Sequence, residues 1–87
     1  MENTEIQMLV LEFSRKTEKE LRLEVWFNPL SLRYVENQTE ELCLTAVAQA
    51  GYSLEYVRNQ SEAICLEAVK QNYRALEFVK KSNLELI

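Results

Sequence analysis

Apolar residues in this chain return at a fixed spacing. Thr17 to Gln38, Thr39 to Gln60 and Ser61 to Ser82 align as three blocks of 22 residues without a gap. Within the later blocks, Cys43 and Val47, and again Cys65 and Val69, sit one helical turn apart. A second apolar group, Leu32, Tyr34 and Val35, comes back as Leu54, Tyr56 and Val57 and then as Leu76, Phe78 and Val79. A period of this size predicts stacked units, each too thin to bury its apolar face alone.

Polar residues mark where the elements begin and end. Thr17, Thr39 and Ser61 open the blocks, each followed by a glutamate (Glu18, Glu40, Glu62). A hydroxyl that accepts from an orphan backbone N–H, then a carboxylate near the positive end of the helix dipole, predicts a helix start. Glu20 lies three residues after Thr17 and completes a capping box. Asn28-Pro29, Ala50-Gly51 and Asn72-Tyr73 fall at one place in each block, where residues that end a helix or tolerate a left-handed turn predict a break. Pro29 also suits the first position of a second helix. The expected fold is all-α: one domain over residues 1–87, made of an N-terminal cap (1–16), helix-turn-helix repeats at 17–38, 39–60 and 61–82, and a tail at 83–87. With neighbouring units in register, Arg33 is expected opposite Glu55, and Glu36 opposite Arg58.

The first block admits two readings. Leu21, Leu23, Val25 and Phe27 alternate with polar residues and Trp26, which is a strand pattern, and Ile6 to Phe13 could pair with them as an N-terminal β-hairpin. The spacing shared with the later blocks favours a helix instead, with residues 5–16 as a degenerate helical cap. Leu84, Leu86 and Ile87 are expected to cover the other end.

The run N-P-L-S-L-R-Y-V-E-N-Q-T-E-E-L-C from Asn28 to Cys43 resembles a family of tandem repeats known as domain of unknown function 4116, from bacterial, viral and protist proteins. So do Val69 to Asn72 (V-K-Q-N) and Ala75, Leu76, Phe78, Val79 and Lys80. The resemblance covers Pro29 to Lys81 well and Thr17 to Asn28 loosely. It implies an all-helical array and carries no activity, cofactor or site residue.

Composition narrows the function more than it names one. Fourteen acidic residues, all glutamate, against ten basic ones give a net charge of −4, which argues against a general nucleic-acid binder. The interrupted apolar stretch Ile6–Phe13 is too short to span a membrane, and a start without basic residues does not read as a secretory signal. Two cysteines without a targeting segment fit a reducing cytoplasm. With no histidine and no aspartate, neither a Ser-His-Asp nor a Cys-His arrangement can be built, and one glycine cannot make a phosphate loop. Cys43 and Cys65 share one place in an apolar stripe and are expected to be inert core thiols. No catalytic, metal or cofactor site is expected.

Aromatic placement remains. Tyr34, Tyr56 and Phe78 keep the register, while Trp26, Phe27, Tyr52 and Tyr73 break it and gather at the turn between the two helices. Trp26, Leu30, Tyr52, Tyr73 and Arg74 are therefore expected along one rim, either as a partner surface or as the edge of a thin core. The favoured function is a non-enzymatic protein-binding module. Size and charge suit a small acidic inhibitor that covers a basic site, in the manner of phage-encoded anti-defence (anti-CRISPR-like) proteins. Self-association through the open repeat ends is a further expectation. The alternative is a nucleic-acid-binding array using Lys70, Arg74, Lys80 and Lys81, with Tyr73 for stacking.

Overall fold

The computed structural model describes residues 4–86. The described residues form four α-helices, α1 (Thr4–Ser14), α2 (Glu18–Phe27), α3 (Glu40–Gln49) and α4 (Glu62–Gln71), and four six-residue 3₁₀ helices, one after α2, one after α3 and two after α4. These are η1 (Pro29–Tyr34), η2 (Gly51–Tyr56), η3 (Tyr73–Phe78) and η4 (Lys81–Leu86). The helices form a slab of 37 × 29 × 17 Å. In one layer α2 packs on α3 and α3 on α4; in the other η1 packs on η2 and η2 on η3. α1 sits against η1, and η4 against α4.

The caps are where the polar residues place them. Thr17 accepts from the Glu20 backbone N–H at 3.2 Å and Glu20 accepts from that of Thr17 at 2.9 Å, closing the capping box. Thr39 accepts from Leu42 at 3.1 Å and Ser61 from Ile64 at 3.2 Å. No hairpin forms: the strand-like alternation in Leu21–Phe27 belongs to α2, and the described residues contain no strand. The capping box fixes a helical start, Leu21 and Val25 face the core one turn apart, and the apolar residues that mimic a strand, Leu23 and Phe27, point to solvent.

The helix that follows each of α2, α3 and α4 is 3₁₀, which has three residues per turn. That geometry stacks Leu32 over Val35 and Leu54 over Val57, and all four are buried. Leu76, in the corresponding place of η3, is 45% exposed where Leu54 is 0%. η2 is flanked by η1 and η3, whereas among the described residues η3 is followed by η4, which packs on α4. Leu84 is itself 44% exposed, and the expected contribution of Leu86 and Ile87 lies outside the described side chains.

Two glutamines tie neighbouring 3₁₀ helices together. Gln38 donates to the carbonyls of Tyr56 (2.8 Å) and Leu32 (3.2 Å) while its Oε1 accepts from the Arg58 N–H at 3.0 Å. Gln60 donates to the Phe78 carbonyl at 2.8 Å and accepts from the Lys80 N–H at 3.0 Å. The Cys43 and Cys65 thiols lie 3.8 and 3.6 Å from the same oxygens. The charge pairs expected here do not form. Arg58 donates to the carbonyls of Val35 (2.6 Å) and Glu36 instead of the Glu36 carboxylate, and Lys80 donates to the Arg58 carbonyl at 2.5 Å. Arg33 donates to the Tyr34 hydroxyl at 2.7 Å and lies 5.8 Å from the centre of the Tyr56 ring, not on Glu55. Carbonyls at the end of a short helix lack internal partners and accept from these cations, while an exposed ion pair would add little.

Gly51 answers a different demand from the one its sequence context suggests. No described residue has a positive φ, and Ala50 and Asn72 end their helices in extended conformations. A Cβ on Gly51 would collide with the Ala68 carbonyl oxygen and lie 3.1 Å from Cβ of Asn72. The glycine allows α4 to approach, and its N–H donates to Gln71 Oε1 at 2.5 Å.

Ser53 is fully buried and its hydroxyl has no hydrogen-bond partner, whereas Ala75 fills the corresponding buried place in η3. Ser53→Ala is therefore expected to stabilise the protein by about 0.5–2 kcal/mol, because an unsatisfied buried hydroxyl keeps its desolvation penalty. Thermal melting checks this; a lower midpoint would show that the hydroxyl is satisfied in solution.

Candidate partner-binding surface

The rim residues sit where α-helix passes into 3₁₀ helix, and most of them face water. Trp26, near the end of α2, is 54% exposed; Tyr52, second in η2, is 48% exposed; Tyr73, first in η3, is 70% exposed. Arg74 is exposed, with its backbone N–H held by Asn72 Oδ1 at 3.0 Å. Leu30 is half-buried in η1. The backbone is held beside Tyr52, where Gln71 clamps Gly51, and around Tyr73, where Asn72 caps Arg74.

These five residues do not converge on one pocket. Trp26 instead shares an open groove of about 400 Å³ with Lys19, Arg22, Leu23, Phe27 and Thr45. Phe27 is 80% exposed. Positions 19, 22, 23, 26 and 27 follow the i, i+3, i+4, i+7, i+8 pattern, so one face of α2 turns an apolar stripe with two cations to solvent. Lys19, Arg22 and Leu23 were missed at the sequence level because the strand-like alternation obscured this helical face.

Two of the three in-register aromatics pack inward, while Tyr56 is half-buried beside Arg33. Tyr34 and Phe78 lie against the core, and the Phe13 and Tyr34 rings meet at 5.5 Å. Of the basic residues at the C-terminal edge, Lys80 has its ammonium committed to the Arg58 carbonyl, while Lys70, Arg74 and Lys81 are exposed.

The thiols are held in their neutral form. Burial pushes the Cys43 pKa up to about 11, and the nearby Arg58 lowers it only in part. Cys65 is raised by burial as well. Neither is a ready nucleophile, since the thiolate is the reactive form. Among the described residues no three His, Cys, Asp or Glu side chains gather as a metal site, and no helix is long and apolar enough to cross a membrane.

Comparison with known families decides the relationship. The model of the domain of unknown function DUF4116 matches residues 39–84, more than half of the 87-residue chain. The chain belongs to the DUF4116 family. The DUF4116 match takes in α3, η2, α4 and η3, and with them Tyr52, Tyr73 and Arg74; α1, α2 and η1, with Trp26 and Leu30, lie before it. No curated protein and no solved structure matches the chain.

Proposed function

We propose that this chain is a non-enzymatic protein-binding module, a short array of stacked helix-turn-helix repeats of 22-residue period that works in the cytoplasm. The observation that carries the reading is the exposure of Trp26, Phe27, Tyr52 and Tyr73 along the turns between the two layers. Large aromatics are costly to leave in water, and Trp, Tyr and Arg dominate binding hot spots. Clamped backbones beneath Tyr52 and Tyr73 keep the ordering cost of binding low. The reducing compartment suits two free thiols. Small size and a net charge of −4 suit an inhibitor that covers a mildly basic site on its partner.

Capture from the native cytoplasm, run in parallel with the wild-type chain and with Trp26→Ala/Tyr52→Ala/Tyr73→Ala, tests the reading. The expected result is a protein enriched by the wild type and lost by the variant, with the variant still folded and melting cooperatively. Each hot-spot aromatic accounts for about 2 kcal/mol of affinity, roughly thirtyfold. Equal enrichment by both chains would remove the surface from consideration. Labelled oligonucleotides at two salt concentrations complete the test, because salt-sensitive binding would put nucleic acid in place of protein.

A further inference from the structure

α1 is out of balance with the rest of the chain. Six of its eleven residues are apolar, yet Phe13 is the one described as buried. Met8 is 63% exposed and Leu11 59%, and together with Glu12 and Arg15 they line a shallow depression on the outer side of the helix. Helices of this length are marginal on their own in water, so α1 depends on what packs against it. Within the chain that support comes from η1 through Phe13 and Tyr34.

The charges on this face have a definite order. Glu5 lies at the start of the helix and Arg15 just past its end, with Met8 and Leu11 between them. Neither Glu5 nor Arg15 is in an ion pair within the described chain, where the pairs formed are Lys16–Glu24 (3.8 Å) and Arg22–Glu18 (3.9 Å). A parallel partner helix of the same sequence would set Arg15 against Arg15. An antiparallel one sets Arg15 against Glu5 at both ends and Met8 against Leu11 in the middle.

We propose that α1 docks on α1 of a second copy of this chain, antiparallel about a two-fold axis passing between Leu9 and Val10. Such an interface is isologous, so the same contact is made twice. At about 1.5 Å of rise per residue, Arg15 of one copy comes level with the first turn of the other, within about 2 Å of Glu5 along the axis. Gln7 and Glu12 meet alongside as donor and acceptor. Two short helices bury less area than a standard interface, which places this among weak dimers. The proposal does not rest on the rim surface, which lies on α2, η1, η2 and η3.

Sedimentation of the whole chain from about 5 to 500 µM at about 150 mM salt tests it, the range in which weak dimers assemble. The expected result is a 10.2 kDa monomer that passes to twice that mass and no further. Leu11→Glu is expected to weaken dimerisation at least tenfold, and so is Arg15→Glu. The double variant Glu5→Arg/Arg15→Glu is expected to recover most of the loss. All these positions are exposed, and circular dichroism is the control that each variant keeps its helix content. A wild type that stays monomeric to 500 µM overturns the proposal. So does a Leu11→Glu chain that dimerises as well as the wild type, a mass that grows beyond the dimer, or a double variant no better than the singles.

Discussion

Leu54→Ala is expected to lower stability by about 2–5 kcal/mol, while Leu76→Ala, the same change in the corresponding place of η3, costs under about 1 kcal/mol. Leu54 is fully enclosed, with α3 and α4 on one side and η1 and η3 flanking η2 on the other. Its truncation removes burial energy and leaves a cavity that the clamped neighbours cannot collapse into, because Gln60 holds Leu54 and Phe78 by their carbonyls. Leu76 is 45% exposed, so truncation there removes less buried surface and opens no enclosed void. In a domain of this size the first change is worth about 4–8 °C of melting temperature per kcal/mol, a large part of the total. Urea melts of the two variants make the comparison within one chain and with one chemistry. Equal losses would mean that η3 is covered in solution as η2 is, and the coverage described above would be wrong.

Gly51→Val is the second large effect. Two terms compete at this position. Removing glycine restricts the unfolded chain and stabilises by about 0.4–1 kcal/mol where the backbone permits, and here φ is not in the left-handed region. Against it stands a Cβ driven into the Ala68 carbonyl, a backbone atom that can move only if α4 moves. Overpacking of this kind costs about 1–3 kcal/mol or more, so the steric term wins. The loss should persist when Gln71 is also shortened to alanine, since the flexible side chain is not the obstacle. Chemical denaturation measures both; a Gly51→Val chain as stable as the wild type would show that the two layers can separate at little cost.

What the sequence made legible is what local physics decides. Thr17, Thr39 and Ser61 cap their helices by contacts within three residues, and Asn28, Ala50 and Asn72 end them with contacts to the preceding turn. Such features can be read without knowing the fold. The 3₁₀ form of the second helix was hidden, because Leu32, Tyr34 and Val35 suit either helix type. Gln38 and Gln60 passed as ordinary polar residues, since their partners, Tyr56, Arg58, Phe78 and Lys80, lie 18 to 20 residues away. Gly51 was misread for the same reason: its constraint comes from α4, not from its own backbone angles.

The surface was legible in part. Exposure of Trp26, Tyr52 and Tyr73 agrees with their departure from the regular spacing, and Leu30 is half-buried, so it gives less to the rim than expected. The α2 face with Lys19, Arg22, Leu23 and Phe27 could be seen only once the helix was established over the strand. In the sequence, one alternation served both readings. The capping box at Thr17 was the residue-level signal that separates them.

Hydroxyl-radical footprinting of the chain, free and bound to the partner recovered by capture, tests the central claim most directly. Exposed aromatic side chains oxidise readily, and each can be followed by mass spectrometry. The account predicts that Trp26, Phe27, Tyr52 and Tyr73 lose reactivity in the complex while the packed Tyr34 is unchanged. Unaltered oxidation at these four residues, with protection appearing instead around Lys70, Lys80 and Lys81, would contradict it.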